Sequence, residues 1–280
     1  MKYGNLHLHS TFSDGGFTPK QLVLIGKSIG YQALVLTDHE TDGGVPEFQR
    51  ACAMEGVDSL VGVEFYGTYD GHCPHIVALD FDRDDPGIRA FIRERCELRN
   101  EFTRKCVERG IRKGFIHDFT WNDVLDHCRD GSWICIDQVI GAMKYKNVMA
   151  PEDNSVELRQ NVFKGEEVLS FEPPHPSVEQ TIRTIRRAGG IAVLAHPNNK
   201  THYVKELMEY GLNGIEVSHP DMTPVTVQLA KEAAKAFRLY RSGGTDHTGA
   251  MSCCGGKFAI SALQGVTERE FEIIKQRKLG

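Results

Sequence analysis

Histidines and carboxylates recur just at or after short apolar runs along this chain, and this pattern predicts a metal centre. The residues concerned are His7, His9, Asp14, Asp38, His39, Glu64, His75, His196, Asp246 and His247. Mixed imidazole and carboxylate ligands suit zinc, iron or manganese, and the absence of cysteine from the set argues against a purely structural zinc site. A single histidine such as His117 or His127 is better explained as a scattered polar loop residue.

The apolar runs themselves predict short buried strands. They cover residues 4–9, 33–36, 60–63, 76–79, 191–194, 215–217 and 239–240. Because helical patterns separate most of them, a parallel α/β barrel or a doubly wound sheet is the economical architecture. The carboxyl ends of parallel strands meet on one face, so the ligand-type residues that follow the strands should converge there.

The first and fourth runs place their histidines differently. His7 and His9 are two residues apart on the first strand and therefore point to the same side, while Leu6 and Leu8 point to the other. His75 opens its strand instead of closing it. The strand pattern alone offers no reason for this placement.

Capping residues mark the starts of the helices between these strands. Thr18 precedes a proline at the first helical position, and Gly30 follows the end of that helix. Ser177 and Thr267 each stand three residues before a Gln or Glu, which is the spacing of a capping box. These signals predict ordinary α/β units.

The segment formed by residues 83–174 breaks this alternation. It contains no strand that ends in a ligand-type residue, whereas residues 88–110 have the pattern of one long charged amphipathic helix and residues 120–123 begin another. We interpret the segment as a helical cap inserted into the barrel. The chain then divides into a metal-binding barrel formed by residues 1–82 and 175–280 and a substrate-binding cap formed by residues 83–174.

Two arginines of the long helix are candidates for binding a substrate phosphate. Arg95 and Arg99 lie four residues apart and therefore share one helix face. Because Glu94, Glu97 and Glu101 surround them in the sequence, a solvated helix surface with ordinary salt bridges is the alternative interpretation.

Length and composition are those of a soluble enzyme. The 280 residues, 40% of them hydrophobic and 25% charged, can bury one large core or one core plus a small module. No stretch approaches the roughly 18 to 20 consecutive apolar residues of a membrane span, and residues 1–3 lead into the first strand without a signal peptide. We therefore expect a cytoplasmic protein that does not interact with membranes.

The charge balance limits the partners. The formal net charge of −5 argues against long nucleic acids, whose binding rests on many Lys and Arg contacts with phosphates. A small phosphorylated substrate fits better, because three divalent ions would add about six positive charges at the site.

The eight cysteines show no paired CxxC spacing and are expected to be free thiols. The adjacent Cys253 and Cys254 could instead form a redox or metal-binding pair, although a flexible loop with two thiols is the simpler interpretation.

Several spaced motifs resemble those of the PHP (polymerase and histidinol phosphatase) family. They are His7-Leu8-His9-Ser10, Ser13-Asp14-Gly15, Leu36-Thr37-Asp38-His39, Gly62-Val63-Glu64, Leu194-Ala195-His196-Pro197 and Gly244-Thr245-Asp246-His247. The resemblance runs from residue 4 to about residue 249 and is much weaker in the cap segment. Several motifs in the right order make a chance match very improbable.

The resemblance implies a distorted (β/α)7 barrel that holds up to three divalent ions of manganese, iron or zinc. The ligand sets would be His7, His9, Glu64 and Asp246 for the first ion, Glu64, His75 and His196 for the second, and Asp14, His39 and His247 for the third. His72 competes for the role of His75, but the family motif places the ligand directly before the apolar run.

Such a centre would make the protein a phosphoric ester hydrolase. A hydroxide bridging two ions is available at neutral pH, because metal binding lowers the pKa of water from about 15.7 to about 7, and it can attack phosphorus in line with the leaving oxygen. A catalytic general acid would protonate the departing alkoxide, and His219 and His202 are the two candidates. The alternatives are that His219 only packs against Pro220 and that His202 is a surface residue at a helix start.

Three departures from the family pattern bear on the substrate. Residues 133–137 are Trp-Ile-Cys-Ile-Asp, whereas relatives that act on nucleotides usually carry Gly-Arg-Pro-His, so the arginine and histidine are missing. Asp246 and His247 are adjacent where the family commonly has Asp-x-His, which affects the placement of the last ligand of the third ion. Met222 stands where a second histidine is often found.

These departures favour a subgroup with a different small substrate. We expect phosphoribosyl 1,2-cyclic phosphate, whose cyclic diester would be opened and whose resulting phosphate would then be removed to give ribose 5-phosphate. A nucleoside 3′,5′-bisphosphate phosphatase or 5′-to-3′ exoribonuclease, and a histidinol phosphatase, are the enzymatic alternatives. The non-enzymatic alternative is a structural metal-binding module like the PHP domains of polymerases, but the intact ligand set favours a hydrolase.

Overall fold

The computed structural model of this protein describes residues 2–150, 152–153, 155–248 and 263–278. Within these residues, short strands alternate with helices, which gives a mixed α/β fold. In chain order the strands are β1 (Gly4–Asn5), β2 (Ala33–Leu34), β3 (Asp58–Ser59), β4 (Gly62–Tyr66), β5 (His75–Leu79), β6 (Ile191–Leu194), β7 (Gly214–Glu216) and β8 (Tyr240–Ser242).

The helices between the strands differ widely in length. They are α1 (Pro19–Ser28), α2 (Val45–Glu55), α3 (Pro86–Arg112), α4 (Trp121–His127), α5 (Ile136–Tyr145), α6 (Val156–Phe163), α7 (Glu166–Leu169), α8 (Val178–Arg187), α9 (Val204–Tyr210), α10 (Pro224–Ala236) and α11 (Glu268–Lys275), with a 3-10 helix at Asn198–Tyr203. In the part of the chain that the structure describes, no helix is both long and apolar enough to cross a membrane.

The helix starts follow the capping signals of the sequence. Thr18 forms a capping box at the start of α1, and Gly30 follows the end of that helix with φ of 103°. Thr267 forms a capping box at the start of α11, and the Ser177 hydroxyl accepts the backbone N–H of Gln180 at the start of α8. The predicted capping residues are confirmed, although the structure gives Ser177 only the hydroxyl contact and not the reciprocal contact of a full capping box.

The strands form two sheets instead of one parallel sheet. The first sheet is parallel, in the order β1-β2-β3, and the second is mixed, in the order β4-β5-β6-β7-β8. In the second sheet β5 runs antiparallel to β4 and to β6, so the prediction of all-parallel strands is wrong at β5. The remaining neighbours in both sheets are parallel.

The antiparallel direction of β5 explains why His75 opens its strand. His75 pairs with Tyr66 at the end of β4, and the next residue, Ile76, pairs with Leu194 at the end of β6. The start of β5 therefore lies beside the carboxyl ends of its two neighbours, and His75 reaches the same edge as the ligand-type residues that follow those strands.

Two isolated parallel bridges join the sheets. His39, after β2, bridges to Glu64 in β4, and Leu8, after β1, bridges to His247, after β8. The backbone N–H of Leu6 also donates to the carbonyl of Gly243 at 3.1 Å. These contacts bring the segments that carry the histidine and carboxylate motifs to one edge of the fold.

The segment from α3 to α7 has an apolar core of its own. This core contains Phe102 of α3, Val124 of α4, Val139 of α5, Val162 of α6 and Val168 of α7. In the described residues, the segment contains helices and connecting loops but no strand. The predicted helical character of this region is therefore confirmed, while the domain boundaries at residues 82 and 175 stay a prediction.

The described cysteines at positions 52, 73, 96, 106, 128 and 135 are free thiols, as expected. The adjacent Cys253 and Cys254 lie outside the described residues.

Candidate metal centre

One carboxylate stands at the centre of the converging side chains. Glu64 of β4 is 1% exposed, and its Oε2 atom lies 3.2 Å from Nε2 of His7, 3.2 Å from Nε2 of His9 and 3.2 Å from Nδ1 of His39. The two histidines of the first motif reach Glu64 together because alternate residues of an extended segment point to the same side.

The second oxygen of Glu64 faces a different pair of imidazoles. Its Oε1 atom lies 3.0 Å from Nδ1 of His75 and 3.2 Å from Nε2 of His196. His72, the competitor for the role of His75, is exposed in a turn with Tyr69 instead. Because imidazole nitrogens lie near each of its two oxygens, the Glu64 carboxylate could contribute one oxygen to each of two ion sites.

The possible ligand atoms fall into groups within 4.8 Å of one another. These groups are His7, His9, Glu64 and Asp246; Glu64, His75 and His196; His9, Asp14 and His39; and His7, Glu216 and His219. The first two groups bring together the residues that the family resemblance assigns to the first and second ions. The third contains Asp14 and His39, but His9 stands where the resemblance implies His247.

His247 lies next to these groups but contributes to none of those found in the described residues. It is buried, and its ring stacks on Phe17 with 5.4 Å between ring centroids. Its carbonyl accepts the N–H of His9. Asp246 has φ of 48°, so the backbone turns at this residue, and its carboxylate lies beside His7 and His9.

Several buried ligand atoms have no hydrogen-bond partner among the described residues. They are Nε2 of His7, Nε2 of His9, Nδ1 of His39 and Oε2 of Glu64. Leaving a buried polar atom unsatisfied costs about 1–3 kcal/mol, so such atoms are normally explained by an ion or a water. Nitrogen and oxygen donors of this kind fit manganese, iron or zinc, so the residues present suit a cluster of divalent ions.

The charges of the cluster depend on its burial. Burial would raise the pKa of Glu64, but the surrounding imidazoles, His7 first, hold that pKa well below its usual value. Burial would lower the pKa of His7, but the surrounding carboxylates, Glu64 first, hold it well above its usual value. At Asp14 burial prevails and raises the pKa of the carboxyl to about 7. The centre therefore keeps a negative charge on Glu64, where it attracts cations.

Asp38 organises the loop that carries Asp14 and belongs to none of the ligand groups. Its carboxylate accepts the N–H of Ser10 at 2.6 Å, the hydroxyl of Ser10 at 2.6 Å and the hydroxyl of Ser13 at 2.5 Å. These hydrogen bonds satisfy a carboxylate that is only 1% exposed and fix the turn between His9 and Asp14.

The two general-acid candidates lie in different surroundings. His219 is buried, its Nδ1 atom accepts the N–H of Asp221 at 3.0 Å, and its Nε2 atom lies 3.2 Å from Asp246. Nε2 therefore carries the proton and faces the ligand group. His202 is exposed and lies against Tyr203 in the 3-10 helix, so the structure does not bring it to the cluster.

A cavity of about 500 Å³ extends from the cluster toward the helical segment. Its lining includes Asp14, His39 and Arg99. The Arg99 guanidinium lies 4.5 Å from the ring centroid of Trp133, and that ring lies 5.2 Å from the ring of His39. Arg99 therefore points to the cavity beside a ligand-type histidine.

The other candidate arginine has a different environment. Arg95 is 6% exposed, and its Nε atom donates to Glu40 at 3.3 Å. The second oxygen of Glu40 accepts the indole N–H of Trp133 at 3.3 Å. Arg95 thus contacts the residue that follows His39 instead of lining the cavity with Arg99.

Sequence reasoning did not single out Glu216. It is fully buried in β7 and contacts both His7 and His196. The sequence did contain a signal for Glu216, since it is a charged residue within an apolar strand, and a buried carboxylate needs polar or charged partners.

The comparisons with known proteins agree with this geometry. Residues 5–160 match the model of the PHP domain, so the chain belongs to the PHP family. Its relatives along most of the chain are named as enzymes that act on phosphate esters, and the protein is a metal-dependent phosphoesterase of this family, and thus a hydrolase.

Three relatives show the range of named activities. A 5′-3′ exoribonuclease of Haemophilus influenzae is 29% identical over 253 residues, which are 86% of this chain and 88% of that protein. A phosphoribosyl 1,2-cyclic phosphate 1,2-diphosphodiesterase of Eggerthella lenta is 28% identical over 250 residues, with coverage of 88% and 94%. A 3′,5′-nucleoside bisphosphate phosphatase of Chromobacterium violaceum is 27% identical over 259 residues, with coverage of 86% and 86%.

Two solved structures share this mixed α/β fold. A protein from Bifidobacterium adolescentis superposes with a TM-score of 0.81 at 24% identity, covering 99% of this chain and 96% of that one. An amidohydrolase from Chromobacterium violaceum superposes with a TM-score of 0.75 at 23% identity, covering 98% and 96%.

Proposed function

We propose that this protein hydrolyses phosphoribosyl 1,2-cyclic phosphate, opening the cyclic diester and then releasing phosphate to leave ribose 5-phosphate. The carrying observation is an arginine without an ion pair beside the ligand groups, in a cavity that Arg159 and Lys164 also line. Arg99 forms no ion pair with any described residue, whereas Arg159, which lines the same cavity, is paired with Asp137 at 2.7 Å. One arginine near the cluster suits the 5-phosphate of a small sugar.

The replaced motif supports the same substrate. Residues 133–137 contribute Trp133, Cys135 and Asp137 to the cavity wall, where the family resemblance implies an arginine and a histidine in members that act on nucleotides. A long RNA substrate would need several cations to track its phosphates. The Eggerthella lenta relative is named for the cyclic phosphate and matches this chain over nearly all of its length, so a relative of comparable similarity carries the proposed activity.

We propose three divalent ions of manganese, iron or zinc as cofactors. The ligand sets are His7, His9, Glu64 and Asp246 for the first, Glu64, His75 and His196 for the second, and Asp14 and His39 for the third, because the one free lone pair of His9 serves the first ion. When bound, the ions would supply a water nucleophile of lowered pKa and would polarise the phosphoryl oxygens.

Protein side chains would bind the substrate and protonate the leaving group. Arg99 would bind and orient the phosphate remote from the reaction, and the ring of Trp133 would hold the guanidinium in place. His219, whose Nε2 atom faces the ligand group, would protonate the departing oxygen from its imidazolium form, in which Nδ1 is also protonated and no longer accepts the N–H of Asp221. We do not propose His202 as the general acid, because it lies exposed beside Tyr203.

We further infer that the two sheets form the distorted (β/α)7 barrel, built from residues 1–82 and 175–280, with residues 83–174 as the substrate-binding cap. The two bridges between the sheets support closure on both sides. Leu6 of the β1 segment and Val193 of β6 belong to one apolar cluster, as expected for a shared interior.

The direct test is phosphorus NMR of the manganese-loaded protein offered ribose 1,2-cyclic phosphate 5-phosphate and adenosine 3′,5′-bisphosphate in one tube. Loss of the cyclic ester signal with appearance of free phosphate is the expected result. Loss of the bisphosphate alone would assign the protein to the nucleotide phosphatases. A Glu64→Gln preparation purified in the same way controls for contaminating phosphatases.

A further inference from the structure

We infer that Glu216 is a positioning residue that holds ligands of two neighbouring ion sites at the same time. This inference rests on the proposed assignment of His7 to the first ion and His196 to the second. Glu216 itself is the last residue of β7 and is fully buried behind both ligands.

The first contact fixes the ring of His7. Oε1 of Glu216 lies 2.9 Å from Nδ1 of His7, while Nε2 of the same ring lies 3.2 Å from Oε2 of Glu64. A carboxylate at Nδ1 requires the proton on that nitrogen, which leaves the lone pair of Nε2 directed at the ligand group. A carboxylate behind a metal-bound histidine sets the tautomer and the ring orientation in this way.

The second contact fixes the backbone of His196. Oε2 of Glu216 accepts the backbone N–H of His196 at 2.6 Å. His196 has φ of 27°, in the left-handed region that non-glycine residues rarely adopt. The hydrogen bond therefore holds an unfavourable backbone conformation that brings Nε2 of His196 to 3.2 Å from Glu64.

The two contacts need two acceptors on one side chain. A carboxylate has an acceptor on each oxygen, whereas a carboxamide has one acceptor and one donor group. In Glu216→Gln, one of the two contacts would place an N–H group against another N–H group. The isosteric substitution therefore breaks one contact or moves one ligand with almost no change in side-chain volume.

The chain offers a matched control on the adjacent strand. Ser242 of β8 pairs with Glu216 in the ladder and is also fully buried. Its hydroxyl has no hydrogen-bond partner among the described residues. Ser242→Ala therefore tests whether a small change at this point of the sheet is enough to disturb the ligands.

The experiment is a titration of metal-stripped protein with Mn²⁺, with free Mn²⁺ measured by electron paramagnetic resonance. We expect Glu216→Ala, which removes both acceptors, to weaken two of the bound ions by about 10- to 100-fold, the range for residues behind metal ligands, and Glu216→Gln, which keeps one acceptor, to weaken one of them. The number of ions at saturation should stay the same, and Ser242→Ala should match the wild type. Glu216→Asp keeps both acceptors but is shorter by one methylene, so it should reach one contact only and weaken binding less.

A second measurement reports the position of His7 directly. In zinc-loaded protein labelled with ¹⁵N-histidine, the wild type should show a protonated Nδ1 and a metal-bound Nε2 for His7. Glu216→Gln should shift the Nδ1–H signal, and Ser242→Ala should not. The Nδ1–H signal of His7 does not respond to a general loss of packing. If Glu216→Gln does not fold, Glu216→Asp can be measured in its place.

Three results would overturn the inference. They are Mn²⁺ binding by Glu216→Ala equal to that of the wild type, weakening of one ion only in that variant, and loss of one whole ion with the others unaffected, which would make Glu216 a direct ligand. Failure of the wild type to bind Mn²⁺ would instead overturn the metal assignment. Failure to cleave the cyclic phosphate would overturn the proposed substrate and leave the titration unaffected.

Discussion

Nδ1 of His75 lies 3.0 Å from Oε1 of Glu64, across a pair of antiparallel strands. The other oxygen of Glu64 faces His7 and His9, which follow a parallel strand of the first sheet. One carboxylate thus contacts side chains from segments of opposite direction and from both sheets. Its removal should affect more than one ion.

We expect Glu64→Gln to abolish turnover while the fold is retained. The amide has one acceptor and no charge, so it cannot serve two ions on its two oxygens. Turnover of the phosphate ester should fall by more than about 100-fold, because even residues behind the ligands contribute 10- to 100-fold. Far-ultraviolet circular dichroism should match the wild type. His196→Ala should behave in the same way.

The matched control is Glu179→Gln on α8, where the exposed carboxylate only pairs with Arg183. This variant should keep wild-type turnover. Retained activity in both Glu64→Gln and His196→Ala would contradict the assignment of the cluster.

Chelation should remove both activity and stability. An ion that binds the folded chain alone stabilises it by about 2.7 kcal/mol at a concentration 100 times its Kd. Treatment with EDTA should therefore abolish turnover and lower the thermal midpoint, and added Mn²⁺ should restore both. Calorimetry of the treated and reloaded protein measures this. An unchanged midpoint after verified metal removal would argue against ion binding at the unsatisfied atoms of His7, His9 and His39.

The sequence predicts the ligand groups better than it predicts the strands that carry them. His7 and His9 are grouped correctly because alternation along an extended segment is a local property. The direction of β5 was not predictable, because the short apolar run at residues 76–79 carries no information about its neighbours in the sheet. The structure places His75 beside Glu64 and His196 for a reason that the sequence pattern did not contain, and its role as a ligand stays a prediction.

The different surroundings of Arg95 and Arg99 were also not predictable from the local sequence. Their spacing correctly places them on one helix, but their difference depends on Glu40 and Trp133, which come from distant parts of the chain. Contacts at long sequence separation, such as the one between Arg95 and Glu40, are set by packing and not by local pattern.

The third ligand group can be tested by comparing His39→Ala with His247→Ala. His39 lies within reach of His9 and Asp14, whereas His247 stacks on Phe17. We expect His39→Ala to bind less Mn²⁺ per chain after equilibrium dialysis. His247→Ala should keep the wild-type content and lose about 1 kcal/mol of stability with its aromatic contact. Loss of bound Mn²⁺ in His247→Ala, with the wild-type content kept in His39→Ala, would instead make His247 a ligand of the third ion, as the family resemblance implies.

Arg95→Ala should destabilise the protein and leave the KM nearly unchanged. The substitution leaves the buried carboxylate of Glu40, which is 2% exposed, without its cation. Removing one partner of a buried ion pair typically costs about 3 kcal/mol. Urea denaturation measures this loss. Wild-type stability together with a raised KM would instead place Arg95 in the substrate site.

Arg99→Ala should have the opposite effects. Arg99 lines the cavity, and among the described residues it contacts aromatic rings and no carboxylate. A charge-assisted hydrogen bond to a substrate phosphate contributes about 1.5–3 kcal/mol, and each 1.4 kcal/mol is about tenfold in affinity. The KM should therefore rise by about 10- to 100-fold, with kcat and the urea midpoint close to the wild type, because this contact is made equally before and during the reaction.

Arg99→Lys should recover part of the affinity, since it keeps the charge but loses the planar group that stacks on Trp133. An unchanged KM in Arg99→Ala would remove Arg99 from the site and leave the metal centre without an identified phosphate-binding residue in the helical segment.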